Sequence, residues 1–237
     1  MAAFASFHTS WLLCLALLLL GASILPENTA EAHMALLYPP PRGGYGTKHF
    51  NWRIHEFIGS RGFKYPCGGY PRGPVTPLKA GQLVPVRFWT SAIRDASRLP
   101  KKSIPQARHG GGLCEFSLSY NNGRTYHLIA TYSKTCPDAV YEWPVRIPDN
   151  VPSCNKPGQC LFVWSWTAAL IPQFYHNCAD VTIQGVKNGK LPEKGIQLYD
   201  FKGHRMNVVF PGDRNSKRAG PGPLKKEVAE ASRRKRV

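Results

Sequence analysis

Two histidines and a tyrosine stand in local surroundings that suit a metal ion. His33 follows Ala30-Glu31-Ala32, an A-x-A pattern that closes a fifteen-residue apolar run, Trp11 to Leu25, and a short polar stretch. Such a run is too short to span a bilayer and has the form of a secretory signal peptide, although no basic residue precedes it. Cleavage after Ala32 makes His33 the first residue, with a free amine and a ring Nδ1 that can chelate one ion together. A second imidazole opposite them completes three nitrogens in a T, a tetragonal set that suits Cu(II) better than zinc. His109 is the candidate for that imidazole. It lies in Gln106-Ala107-Arg108-His109-Gly110-Gly111-Gly112-Leu113-Cys114, where three glycines let the backbone turn sharply and pass close to an ion.

The third segment is Gln173-Phe174-Tyr175-His176-Asn177-Cys178-Ala179-Asp180-Val181. If extended, it places Gln173, Tyr175 and Asn177 on one face and Phe174, His176 and Cys178 on the other. Tyr175 then faces the metal with Gln173 beside it, while Phe174 and Cys178 anchor the strand in the core. The remaining histidines read as structural. His127 lies within a strand, His49, His55 and His204 in loops, and His176 points away from Tyr175.

These segments need elements that hold them. The chain has 237 residues, with 22 Gly and 21 Pro recurring from Pro39 to Pro223, and this spacing excludes long helices. At 43% apolar it is not a disordered chain throughout. Strands are expected at Gln82–Ile93, Leu113–Tyr120, Thr125–Tyr132, Tyr141–Ile147, Cys160–Thr167 and Ala179–Gln184, with weaker candidates at Ile196–Phe201 and Met206–Phe210. Asn121-Asn122-Gly123 between the second and third marks a hairpin. Several strands and long Pro-rich connections indicate an all-β chain, an antiparallel β-sandwich. The irregular segment from Pro39 to Pro77 is long enough to be a functional surface.

Three regions follow: a signal peptide over 1–32, the sandwich domain over 33–213, and a basic tail over 214–237. The tail has nine Lys and Arg against Glu227 and Glu230 and no aromatic residue, so it buries too little to order itself. Six cysteines remain after the leader: Cys67, Cys114, Cys136, Cys154, Cys160 and Cys178. An even number in an exported chain implies three disulfides, with fifteen connectivities open. No C-x-x-C spacing is present, which disfavours structural zinc.

The leader ending at His33-Met34, the Ala-x-His-Gly-Gly-Gly-x-Cys run, Trp164-Ser165-Trp166 and the Phe-Tyr-x-Asn-Cys-Ala-Asp-Val run together resemble the fungal lytic polysaccharide monooxygenases. Over residues 33–185 the chain is most similar to the chitin-active branch, family eleven of the auxiliary activities. The resemblance implies an immunoglobulin- or fibronectin-III-like sandwich with one copper ion in a histidine brace. His33 and His109 would hold the ion, Tyr175 would lie at the axial position, Gln173 beside the site and Ala107 near the axial side. It also implies an external electron donor, O₂ or H₂O₂ as oxidant, and hydrogen abstraction from a glycosidic carbon of chitin.

Two departures bear on the substrate. Gln173 stands where the chitin-active branch usually has Glu, as in the cellulose-active branch, and Leu170-Ile171-Pro172 replaces the usual Gly-Asn-Arg. A cellulose-like polymer is therefore the other candidate. The resemblance also suggests a Cys67–Cys178 disulfide; Cys114–Cys136 is expected across the hairpin and Cys154–Cys160 as a local loop. Tyr38, Tyr45, Trp52 and Tyr70 are candidates for contact with sugar rings. The protein is expected to be a monomer, secreted to the extracellular space or cell wall, without a membrane span. Its net charge of +17 fits anionic wall polymers better than nucleic acid, because the leader directs export. The alternative function is an exported copper-binding protein without catalysis, and no convincing acid pair supports ordinary glycoside hydrolysis.

Overall fold

Alternating apolar residues place strands on either side of one aromatic core. In the computed structural model, residues 33–60, 63–100, 104–133, 136–156, 158–170 and 173–197 are described. The leader, the basic tail, His204 and the strand candidate Met206–Phe210 lie outside them, as does most of Ile196–Phe201. Among the described residues there are eight strands: β1 Ala35–Tyr38, β2 Val75–Lys79, β3 Leu83–Trp89, β4 Gly112–Ser119, β5 His127–Ser133, β6 Trp143–Arg146, β7 Leu161–Ala168 and β8 Phe174–Gln184. They form a three-stranded sheet in the order β1-β3-β6 and a five-stranded sheet in the order β2-β8-β7-β4-β5.

The inward residues of the two sheets interlock. Cys114, Phe116 and Leu118 of β4 and Phe162, Trp164 and Trp166 of β7 are buried in the same cluster as Phe88, Trp89 and Trp143 of the smaller sheet. Phe88 meets Trp164 with ring centroids 4.9 Å apart. Large aromatic rings across the layer contribute apolar burial that offsets the chain's ordering entropy.

The expected all-β sandwich is present, with one difference in strand direction. β2 runs parallel to β8, with Val75 opposite Asp180 and Lys79 opposite Gln184, while every other strand pair is antiparallel. A short arch at Ala80–Gln82 carries the chain from the edge of the larger sheet into β3. β2 is an edge strand, where Pro77 is tolerated because the lost N–H faces no partner. Neither β1 nor β2 stood out in the sequence. β1 is four residues ending beside Pro39, and β2 belongs to the end of the segment read as irregular.

Three disulfides staple the sandwich. Cys67 pairs with Cys178, Cys114 with Cys136 and Cys154 with Cys160, with Cα separations of 5.2, 5.9 and 5.9 Å. A buried ion pair adds a fourth tie. Arg42 donates from Nε and Nη2 to the Asp180 carboxylate at 2.9 and 2.7 Å, and Gly73 N–H donates to Asp180 Oδ2 at 2.8 Å. The long loop after β1 is thereby fixed to the middle of β8, with the carboxylate's charge matched by a two-pronged guanidinium.

Candidate metal centre

His33 enters the site at the start of β1. The Leu36 N–H donates to Asn177 Oδ1 at 2.8 Å, and Asn177 Nδ2 donates to the Ile54 carbonyl at 3.3 Å. One amide on β8 thus sets the position of β1 and of the 3₁₀ turn Trp52–His55. Tyr175 lies two residues earlier on the same face of β8.

His109 comes from a loop that demands unusual backbone. His109, Gly110 and Gly111 have φ of 45, 74 and 80°, a left-handed run that only glycine adopts without strain. The Gly111 N–H closes the turn on the Arg108 carbonyl at 2.6 Å. Gly112, at φ 151°, starts β4, and a Cβ there would lie 2.0 Å from the Thr167 carbonyl oxygen. Arg108 is clamped to the buried Asp138 carboxylate, which also accepts from Gln106 Nε2 at 3.0 Å. The loop is thus anchored at its polar end by an ion pair and at its glycine end by the sheet.

The four expected site residues meet at one oxygen. His33 Nδ1 lies 3.1 Å and His109 Nε2 3.2 Å from the Tyr175 hydroxyl, which donates its proton to Gln173 Oε1 at 2.5 Å. A tautomer shift that frees both imidazole nitrogens leaves two lone pairs directed at the same small region. The donor set of two imidazoles, a phenol oxygen and a nearby amide suits a single transition-metal cation. Tyr175 is 1% exposed. Burial, and then the Glu56 carboxylate, push its pKa well above the usual phenol range, so the ring keeps its proton.

Aromatic rings wall the site. Trp166 stacks on Tyr175 with centroids 4.3 Å apart, and its Nε1 donates to the Gly111 carbonyl at 3.2 Å. On the other side, His55 stacks on His33 at 5.3 Å with planes 20° apart, and its ring lies 5.8 Å from Trp89. Two exposed apolar side chains flank the centre. Trp52, 51% exposed, leans edge-on against Trp89, and Leu170, 77% exposed, lies over Gly110 beside His109.

The other expectations divide. His49 is exposed in its loop, and His127 Nδ1 contacts the Pro192 carbonyl at 2.7 Å. Ala107 is half-buried in the segment leading to His109. His55 is not a loop residue in solvent; it is 6% exposed and packs on a proposed ligand. The faces of β8 alternate as expected and Phe174 is buried in the main core, but Cys178 is not. Tyr175 belongs to the main core, whereas Cys178 lies on the outer side of the sheet with Cys67, Leu161 and Val163. His176 does point away from Tyr175. It sits among Cys67 and Cys178, but those sulfurs are joined and supply no thiolate, so the trio is not a metal site.

No family model matches the chain. The AA11 family lytic polysaccharide monooxygenase A of Aspergillus fumigatus is 31% identical over 169 residues, which cover 68% of this chain and 69% of that protein. The AA11 family lytic polysaccharide monooxygenase B of A. fumigatus and an AA11 family lytic polysaccharide monooxygenase of Aspergillus oryzae are each 24% identical over 184 residues. That alignment covers 70% of this chain and 39% of either relative, so the chain spans well under half their length. A solved CBM33 polysaccharide monooxygenase aligns with 64% of this chain and 100% of its own, at 15% identity and a TM-score of 0.42.

Proposed function

Since the chain belongs to the AA11 family of lytic polysaccharide monooxygenases, we propose that it binds one copper ion at His33 and His109 and oxidatively cleaves a structural polysaccharide, chitin foremost. The observation that carries this reading is the approach of His33 Nδ1 and His109 Nε2 to the one hydroxyl of Tyr175. The third nitrogen, the amine of His33, exists only once the leader over 1–32 is removed. Copper supplies one-electron chemistry with O₂ or H₂O₂, driven by an external donor, and the outcome is loss of a hydrogen atom from a glycosidic carbon.

The chain's own groups have separate tasks. The two imidazoles would hold the ion. Tyr175, neutral and backed by Trp166, closes the buried side and keeps water from it. Gln173 accepts the Tyr175 proton through Oε1, which leaves its Nε2 protons to orient a small oxygen species without adding charge. Export, a cell-wall location and a monomeric state belong to the same proposal. No helix among the described residues is long and apolar enough to cross a membrane.

Leu170 favours one other reading. It exposes an apolar side chain beside His109 and begins the Leu170-Ile171-Pro172 run that replaces the usual Gly-Asn-Arg of the resembling family, as a copper carrier without catalysis would tolerate. One experiment separates the two. The secreted protein is sequenced from its amino terminus, loaded with copper, and incubated with chitin and a reductant. Oxidised oligosaccharides from a chain starting at His33 are the expected result. Tight copper binding without products or peroxide would favour the carrier, and equal copper binding by a form with one extra amino-terminal residue would remove the brace altogether.

A further inference from the structure

A chain's first residue has no preceding backbone to fix its side chain, so the orientation of the His33 ring has to come from contacts. Phe57 meets it edge-on at 6.4 Å, and His109 and Tyr175 are tilted to it at 6.1 Å each. Among the described residues, His55 lies face to face with it, at 5.3 Å and 20°. We propose that His55 is a positioning residue, a flat wall that sets the plane of the His33 imidazole and so aims Nδ1 at the metal position.

His55 is itself held firmly enough for that task. It ends the 3₁₀ turn Trp52–His55, which Asn51 caps by accepting the Arg53 N–H at 2.9 Å. The carbonyl just before it, on Ile54, accepts from Asn177, and the ring is backed by the fully buried Trp89. Asn177 also accepts the Leu36 N–H, three residues after His33. A single amide therefore sets both imidazoles in register, and stacking fixes their faces. A stacked aromatic pair is worth about 0.7–1.4 kcal/mol beyond its burial, which corresponds to about three- to tenfold in the affinity of a ligand that needs the ordered ring.

This inference rests on the proposed ligand role of His33, and the test separates the two. Full-length mature chain is prepared as wild type, His55→Phe, which keeps a ring face, and His55→Leu, which fills the space without one. Imidazole relaxation by NMR is followed in the copper-free proteins, and Cu(II) affinity and the Cu(II) EPR spectrum in the loaded ones. The expected result is an ordered His33 ring in wild type and His55→Phe and a mobile one in His55→Leu, with affinity down about three- to tenfold and an altered spectrum in His55→Leu alone. Equal ring order and equal spectra in His55→Leu would overturn the proposal. So would His55→Phe falling as far as His55→Leu, because nitrogen contacts rather than stacking would then be responsible. A wild type that binds no copper but shows the NMR difference would refute the ligand role and leave the wall.

Discussion

The Tyr175 hydroxyl is shared by three partners, and its removal separates packing from polarity. Tyr175→Phe keeps the stack on Trp166 and deletes the oxygen that Gln173, His33 and His109 face. We expect a stability loss of about 1 kcal/mol, unchanged copper stoichiometry, and a shifted Cu(II) EPR spectrum. An unshifted spectrum would place the oxygen outside the ion's surroundings. His176 provides a second residue-level expectation. Its Nδ1 accepts the Cys67 N–H at 3.3 Å, and complete burial holds its pKa down to about 3 from the ordinary 6.5. The unfolded chain takes up that proton first. Stability contributed by the neutral ring is therefore whole above pH 6.5 and lost as pH falls towards 3, by up to about 1.4 kcal/mol per unit. Denaturant melts at several pH values should show a shallower slope for His176→Phe; parallel slopes would count against it. That His33, His109, Gln173 and Tyr175 would come together was expected from residue type and local run. His55 was not, since nothing within Trp52-Arg53-Ile54-His55 signals that the turn folds back onto His33.

At the level of elements, legibility followed length and alternation. β4, β7 and the end of β8 read clearly from inward aromatics and a marked turn. β1 has four residues, and β2 contains a proline and lies at an edge, so each is defined by its partner strand rather than by its own pattern. The glycine run before β4 was legible as a turn, although not the reason for its last member. Gly112→Ala must push a methyl group into the Thr167 carbonyl and is expected to cost about 3 kcal/mol or more, measurable by chemical denaturation. A loss below about 1 kcal/mol would mean that the strand pair gives way easily. The 3₁₀ turn carries a different expectation. Trp52 presents an open ring face held against Phe50 and Trp89, so Trp52→Ala should lower retention on insoluble chitin by about three- to tenfold without changing copper affinity. Unchanged retention would remove this ring from the polymer-facing surface.

For the molecule as a whole, the covalent ties are unequal. Cys67–Cys178 joins positions 111 apart in sequence and Cys154–Cys160 only 6 apart. On the chain-entropy account the first contributes about 4–5 kcal/mol and the last about 2. Replacing each pair by alanine and comparing denaturation midpoints should reproduce that order, and a reversed order would show that native strain or packing outweighs chain entropy.

The tie through Asn177 bears on maturation. The His33 side chain reaches Tyr175 and His55 through its ring, not through its backbone nitrogen. The proposed cut after Ala32 would alter one atom beside this ring, an amide nitrogen becoming an amine. On that proposal the ring contacts form without the cut, and processing would supply the third nitrogen offered to the ion.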